Sequence, residues 1–223
     1  MLLHLFESSP ASLPLGLAVV GAYLLGSIPF GLLLARFLKG VDLRDIGSGN
    51  IGATNVSRAL GRPYGFLAFA FDFGKGFLPA WYFVSHPSGE GYVAAVLCGA
   101  AAVCGHVWPI YLKFKGGKAV ATGFGALFAI DPFLCLAGGV AWLLSLFLFR
   151  FFGLASMMMG LVFPVAAYIR MTRGYYGIEV VLGAAALTLL IFLRHRSNIS
   201  RMLSGDEPRF SGLRKNRKGE SHA

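Results

Sequence analysis

Charged residues are scarce in this chain of 223 residues: Asp, Glu, Lys and Arg make up 13% of it, against roughly 25% in a soluble domain. The chain has three cysteines, no glycine period, and no polar block long enough for a second domain. These deficits exclude a soluble globular protein, a disordered chain, a collagen and a disulfide scaffold. Because hydrophobic residues contribute 56%, the composition predicts an integral membrane protein with one domain.

Long uncharged runs predict where the chain crosses a membrane, since about 20 apolar residues span a bilayer as a helix. Such runs lie at 8–35, 63–84 (interrupted by Asp72 and Lys75), 91–112, 132–149, 151–169 and 180–193, the last of which residues 175–178 can extend. A further run, at 119–130, corresponds to roughly 18 Å of helix and is short for a span.

Basic residues indicate whether the short run crosses. If it does, and the N-terminus is outside, 17 Lys and Arg lie on the inner side and 2 on the outer side. If it enters and returns on the same side, the numbers become 10 and 9. The positive-inside rule therefore predicts an all-α integral membrane protein with seven transmembrane helices, the N-terminus outside and the C-terminus in the cytoplasm.

The predicted membrane domain covers residues 1–207, and a basic cytoplasmic tail follows at 208–223. A basic segment beside a membrane typically meets anionic lipid headgroups, so we expect membrane lipids as its partner. The tail has almost no aromatic residues between its basic ones, which disfavours binding to nucleic acid.

Residues 45–58 form the first of three polar stretches that this topology places on the inner side. Glycines let backbone N–H groups converge, and small polar side chains add donors, as in phosphate-binding loops. The same residue types are common in ordinary turns, so the stretch alone leaves both interpretations open. Its candidate binding residues are Ser48, Gly49, Asn50, Thr54, Asn55 and Arg58.

The second polar stretch, residues 105–122, places Lys113, Lys115 and Lys118 around Gly116 and Gly117 at the start of a predicted helix. A helix N-terminus that follows glycines and lies beside lysine is typical of an anion site. Positive-inside topology accounts for Lys113 and Lys115, but not for Gly-Gly-Lys at a helix start.

The third polar stretch, residues 194–201, follows the last run. His195 and Asn198 are three residues apart and share one face of a continuing helix, with Arg201 nearby. A lone interfacial histidine is more often a bystander than a catalyst.

Two charged residues lie within a predicted span. Asp72 and Lys75 are three residues apart on a helix, a spacing that favours a structural ion pair supporting the floor of the site.

The sequence lacks the motifs of several common classes of enzyme. No His, Cys and carboxylate cluster has metal-ligand spacing, and we expect neither a metal nor a cofactor. The H-x-x-x-x-D signature of acyltransferases that use acyl-CoA or acyl-carrier protein is absent, as is G-x-S-x-G.

The three stretches together resemble the bacterial acyl-phosphate:glycerol-3-phosphate acyltransferase (PlsY) family. The resemblance rests on S-G-N-I-G-A-T-N-V-S-R at 48–58, G-H-V-W-P at 105–109, K-F-K-G-G-K-A-V-A-T at 113–122 and H-R-S-N-I-S-R at 195–201. Residues 26–31 and 72–76 fit the same pattern, so the resemblance covers most of the chain, from about 26 to 207. Trp108 stands where phenylalanine is more common in the family.

The resemblance implies a seven-span enzyme of the bacterial inner membrane whose site faces the cytoplasm. The implied reaction moves a fatty acyl group from acyl-phosphate to the 1-hydroxyl of glycerol 3-phosphate, which gives lysophosphatidic acid and phosphate. Its implied partners are the two substrates, membrane lipids and the soluble enzyme that supplies acyl-phosphate.

On this interpretation His195, Asn198, Lys118 and Arg58 are the catalytic residues. The substrate-binding residues are Ser48, Gly49, Asn50, Thr54, Asn55, Lys115, Gly116, Gly117 and Arg201. No carboxylate is expected as a general base, so the proton of the attacking hydroxyl goes either to His195 or to a substrate phosphate oxygen, and the sequence leaves both open.

Two other functions remain as alternatives. A transporter of an organic phosphate would also need intramembrane charges and glycine-broken helices, but its polar groups should gather at the midplane. A structural scaffold would leave the loops of glycine and lysine unexplained.

Overall fold

The computed structural model describes residues 14–86 and 91–210, which form α-helices and turns without a β-strand. In chain order the helices are α1 (Leu15–Gly26), α2 (Phe30–Lys39), α3 (Ala53–Leu60), α4 (Arg62–Ser85), α5 (Gly91–Val107), α6 (Val120–Ile130), α7 (Pro132–Phe149), α8 (Phe152–Thr172), α9 (Ile178–Arg194) and α10 (Arg196–Leu203). Short 3₁₀ turns lie at Leu43–Asp45 and Ile110–Leu112. The predicted all-α class is confirmed for these residues.

Four stretches of the described chain are long and apolar enough to cross a membrane: Leu15–Lys39, Gly91–Leu112, Pro132–Phe149 and Phe152–Thr172. The pair α9 and α10, bent by 50°, gives a fifth if it is counted as one span. The two remaining predicted spans correspond to α4, whose 24 residues include a buried Asp and Lys, and to α6, which has 11 residues.

The first predicted span contains a break. Residues 8–13 lie outside the described residues, and α1 and α2 are separated at Ser27–Pro29. Pro29 has no backbone N–H, so the regular helical bonding cannot continue through it. The carbonyl oxygen of Ile28 accepts a hydrogen bond of 3.0 Å from Lys75 Nζ on α4, which ties α4 to this break.

Small residues allow close helix contacts. A Cβ on Gly26 of α1 would overlap the Ala102 carbonyl of α5, and one on Gly76 of α4 would overlap the Thr122 carbonyl of α6. Close approach through glycine is a common means of helix association in membranes. The short α6 is thereby held against α4 inside the bundle, and its first turn starts within the protein.

A small apolar cluster positions the loop between α2 and α3. Leu32, Leu43, Ile51, Val56 and Ala68 are all buried there, apart from the main core. Because Leu43 and Ile51 flank residues 44–50 of that loop, the cluster fixes both ends of this segment.

The described C-terminal segment returns to the bundle. Phe210 N donates to Arg150 O at 2.7 Å, and Arg150 Nε donates to Phe210 O at 2.9 Å. The predicted tail at 208–223 therefore begins with residues that contact the domain, and its basic cluster at 214–218 lies outside the described residues.

Candidate active site

The three polar stretches meet at one end of the bundle, around a cleft of about 290 Å³. We name this feature the cationic cleft. It is lined by Ser48, Gly49, Asn50, Gly116, Lys118, Leu193, Arg194, Arg196, Ser197 and Arg201. Four of these side chains carry a positive charge, and the described lining includes no carboxylate. Converging cations and glycine backbone are suited to an anionic ligand.

The first polar stretch is folded around the buried side chain of Asn55. Its Nδ2 donates to the carbonyls of Leu43 (3.0 Å) and Ile46 (2.9 Å), and its Oδ1 accepts from the backbone N of Ser48 (3.2 Å). Gly47 and Gly49 have φ of 58° and 66°, which favours glycine. Asn55 therefore holds the loop that presents Ser48 to the cationic cleft, and it does not line the cleft itself.

Two other candidates of this stretch lie farther out. Thr54 and Arg58 are exposed on α3 and are not part of the cleft lining. The charge of Arg58 nevertheless contributes to lowering the pKa of Lys118. The structure thus brings Arg58 close enough for its field to act on the site.

The glycines of the second stretch have a role that the sequence did not reveal. The N–H groups of Gly116 and Gly117 donate to the carbonyls of Val107 (3.1 Å) and His106 (3.0 Å) at the end of α5. The two amides were expected to bind phosphate. Because both N–H groups already donate to carbonyls of the protein, they are not available for a phosphate. Their carbonyls accept from Arg194, at 3.1 Å each.

Lys118 is the one lysine of that stretch in the cleft lining, whereas Lys115 is exposed outside it. Lys118 Nζ donates to Asn198 Oδ1. Burial, and after it the positive charge of Arg201, lower the pKa of Lys118 to about 8, while the charge of Glu207 opposes the change. The amine is therefore partly desolvated, and its hydrogen bond to Asn198 fixes its direction, as expected of a group that binds an anion.

The third stretch contacts Lys118 through Asn198. His195 is 3% exposed, and its Nδ1 lies 2.8 Å from the carbonyl of Ile191, which can only accept. The proton is therefore on Nδ1 and the lone pair on Nε2. Burial, together with the positive charge of Lys118, lowers the pKa of His195 to about 4, so the imidazole is neutral near pH 7.

Sequence reasoning missed a carboxylate. Glu207 accepts from Asn198 Nδ2 at 2.6 Å and from Arg201 Nε at 2.7 Å. These bonds fix the amide of Asn198 so that its Oδ1 faces Lys118. The signal was available, since Asp206 and Glu207 are the acidic residues next to the basic tail.

Arg194, Arg196 and Ser197 also line the cleft without having been predicted. Their position next to His195 offered the signal, but positive-inside topology explains arginines there equally well.

An apolar groove of about 420 Å³ adjoins the cationic cleft. The two share Leu193, Arg194 and Arg196, and Trp108, Leu190 and Phe192 complete the groove. A ligand with a charged head and an apolar chain could therefore occupy both without a gap.

The model of the family described as "Glycerol-3-phosphate acyltransferase" matches residues 16–205. The chain belongs to that family. The match includes all the predicted site residues and ends two residues before Glu207.

Relatives in the glycerol-3-phosphate acyltransferase family are similar along nearly their whole length. The protein of that name from Aquifex aeolicus is 46% identical over 193 residues, covering 86% of this chain and 97% of the relative. The one from Dinoroseobacter shibae is 45% identical over 201 residues, covering 89% and 95%.

Two crystal structures of PlsY (YgiH), described as an integral membrane glycerol 3-phosphate acyltransferase, are similar to this fold. The glycerol 3-phosphate form has a TM-score of 0.81 at 44% identity, covering 89% of this chain and 96% of the other. The lysophosphatidic acid form has a TM-score of 0.79 at 43% identity over the same shares. This glycerol-3-phosphate acyltransferase is therefore an integral membrane enzyme.

Proposed function

We propose that this acyltransferase moves a fatty acyl group from acyl-phosphate to the 1-hydroxyl of glycerol 3-phosphate, and so forms lysophosphatidic acid and phosphate. The observation that carries the proposal is the cationic cleft, in which Lys118, Arg194, Arg196 and Arg201 converge beside the Ser48 loop. Both substrates carry a phosphate, so the reaction needs a site with excess positive charge.

The chemistry requires little beyond position and charge. The substrate hydroxyl oxygen bonds to the acyl carbon, the bond between that carbon and the phosphate oxygen breaks, and phosphate leaves with the electron pair. Acyl-phosphate already has a good leaving group, so orientation and stabilisation of negative charge supply most of the catalysis.

We assign Lys118 and Arg58 to the charge that develops on the carbonyl and phosphate oxygens. Phosphate binding falls to Ser48, Gly49, Asn50, Thr54, Lys115 and Arg201, with Asn55, Gly116 and Gly117 shaping the loops behind them. Asn198 and His195 orient glycerol 3-phosphate. The proton passes to His195 Nε2 or to a substrate phosphate oxygen.

The acyl chain is assigned to the apolar groove beside α9. Leu190, Leu193 and Trp108 are among its apolar lining residues. The groove joins the cleft at Arg194, so the carbonyl would lie at their junction while the chain stays away from water.

We propose seven spans: α1 with α2, then α4, α5, α6, α7, α8 and α9. The shared cleft supports this count. Lys118 precedes α6 and contacts Asn198, which follows α9. If α6 returned without crossing, α7, α8 and α9 would place these two residues on opposite faces of the membrane.

The orientation has the N-terminus outside and the cleft at the cytoplasmic face of the bacterial inner membrane. Residues 1–207 form the membrane domain, and the basic tail at 208–223 meets anionic lipid. The cytoplasmic opening suits a soluble supplier of acyl-phosphate, which we propose as a partner.

Cysteine labelling tests the topology. A cysteine placed near Ser88 should be labelled only from the external side of the membrane, and one near Arg214 only from the cytoplasm. Both positions fall beyond the residues that the structure describes. Within the described chain, Arg173→Cys and Lys113→Cys should show the same difference. Labelling of both from one side would remove a span from the proposal.

The reaction is tested by incubating the purified enzyme with glycerol 3-phosphate and either acyl-phosphate or acyl-CoA, in the presence of EDTA. We expect lysophosphatidic acid from acyl-phosphate and none from acyl-CoA, since the H-x-x-x-x-D pair is absent. Efficient use of acyl-CoA, or loss of activity with EDTA, would contradict the proposal.

A further inference from the structure

We propose that His106, held by Asp72, is a positioning residue that sets the place of Lys118 in the cationic cleft. The inference rests on the proposed function, because Lys118 matters through its contact with a substrate phosphate. His106 lies in α5 and Asp72 in α4, and neither lines the cleft.

The carboxylate of Asp72 is fixed by its neighbours. Its Oδ1 lies 2.8 Å from Lys75 Nζ, and the two side chains are 4% and 1% exposed. The predicted ion pair is thus confirmed. Lys75 also donates to Ile28 O at the break between α1 and α2, so the pair is anchored to a second element and has little freedom to move.

The His106 ring lies between this pair and Gly117. Its Nδ1 lies 3.7 Å from Asp72 Oδ1 and has no hydrogen-bond partner within the described residues. The other side of the ring contacts Gly117, where an added Cβ would overlap Nε2. The His106 carbonyl accepts from Gly117 N at 3.0 Å.

Gly117 immediately precedes Lys118, so the ring supports the residue from which Lys118 extends. The negative charge of Asp72 attracts Nδ1 of a neutral imidazole that carries its proton there, and so orients the ring. Without that attraction the ring can turn, and the backbone at Gly117 can follow it.

Three variants separate the contributions of the Asp72 charge, the His106 ring and the His106 Nδ1 donor. Asp72→Asn removes the charge, His106→Phe keeps a ring without the Nδ1 donor, and His106→Asn keeps a donor near Nδ1 without the ring. Asp72→Asn/Lys75→Met removes the carboxylate without leaving an unpaired buried charge, and so remains informative if the single change fails to fold. Asp131→Asn is the matched control, because Asp131 pairs with Arg170 at 2.6 Å away from the cleft.

The first readout does not depend on activity. The reaction of Lys118 with acetic anhydride is followed by mass spectrometry as a function of pH in the intact detergent-solubilised protein. The wild-type curve should have its midpoint near pH 8. The charges that shift the pKa of Lys118 are those of Arg58, Arg194, Arg201 and Glu207, and the titratable His195 lies near it. All five are unchanged in these variants, so a moved midpoint reports displacement of Lys118.

The second readout is steady-state kinetics. We expect Asp72→Asn, Asp72→Asn/Lys75→Met and His106→Phe to move the Lys118 midpoint away from pH 8 and to lower kcat/KM by on the order of 10- to 100-fold. His106→Asn should recover part of both effects, and Asp131→Asn should change neither.

An unmoved midpoint in both Asp72→Asn/Lys75→Met and His106→Phe would overturn the inference, as would an equal shift in Asp131→Asn. Failure of the proposed function would give a different result. The wild-type protein would make no lysophosphatidic acid from acyl-phosphate, while the His106 variants would still move the midpoint of the Lys118 labelling curve.

Discussion

The two ends of the bundle use the same residue types for different purposes. At the cleft end, Lys118, Arg194, Arg196 and Arg201 line an opening whose described lining has no carboxylate. At the other end, Arg170 lies 2.6 Å from Asp131 and 3.2 Å from the ring centre of Tyr175. α8 connects them, since Gly153 near its start contacts Asn198 and Arg170 lies about 26 Å farther along the helix.

The two ends differ in how much of their positive charge is paired with a carboxylate. Asp131 also accepts from Phe133 N at 3.0 Å as the cap of α7, so the pair at that end joins α7 to α8. At the cleft end, Glu207 pairs with Arg201 and contacts Asn198, and the described lining offers no carboxylate to Lys118, Arg194 or Arg196. A matched arginine indicates structure, whereas an excess of cations around glycine loops indicates an anion site.

The largest effect should follow from removing the central cation of the cleft. We expect Lys118→Ala to lower kcat by at least about 100-fold, because its charge acts where negative charge develops. Lys113→Ala is the matched control and should only weaken activity, since topology alone accounts for that lysine. Lys118→Arg should not restore full activity, because a planar fork replaces a point charge. Equal losses at positions 113 and 118 would indicate a diffuse basic surface.

The next effect concerns His195. We expect His195→Asn to raise the KM for glycerol 3-phosphate by about tenfold, in line with the loss of one hydrogen bond, and to leave kcat mostly intact. A fall in kcat of about 10²–10⁴ at unchanged KM would instead identify His195 as the general base.

The acidic side of the pH profile gives an independent check on His195. Since burial lowers its pKa to about 4, a loss of activity below pH 6–7 belongs to the substrate phosphate, whose second pKa is about 6. That limb should persist in His195→Asn.

The alkaline side reports on Lys118. Its pKa of about 8 means that the ammonium loses its proton as the pH rises through 8, so kcat/KM should fall there. An ordinary lysine would keep its charge to about pH 10. Activity that stays constant to pH 10 would show that Lys118 is not needed in charged form.

The smallest effect on catalysis is expected at the opposite end. Asp131→Asn should lower the temperature of unfolding in detergent, because Arg170 loses its partner, while kcat/KM changes less than about twofold, as for sites without shared partners. A fall in activity as large as that of Lys118→Ala would remove the distinction between the two ends.

The sequence predicted well those features that depend on local pattern. Long apolar runs located the helices, and the three polar stretches named Ser48, Lys118 and Arg201, which do line one cleft. It predicted poorly what depends on contacts between distant segments. Glu207 was missed because its partners are fixed by the return of the chain after α10. The glycines at 116 and 117 suggested phosphate-binding amides, yet they are required by close packing on His106.

The central claim is that the cleft end, and not the other end, takes glycerol 3-phosphate. The most direct test is titration of the purified protein with glycerol 3-phosphate, followed by calorimetry and without the acyl donor, for wild type, Lys118→Ala and Asp131→Asn. We predict saturable binding to wild type and to Asp131→Asn with similar Kd, and at least about tenfold weaker binding to Lys118→Ala, as expected for loss of a hydrogen bond to a charged group. Unchanged binding to Lys118→Ala, or loss of binding in Asp131→Asn alone, would contradict the account.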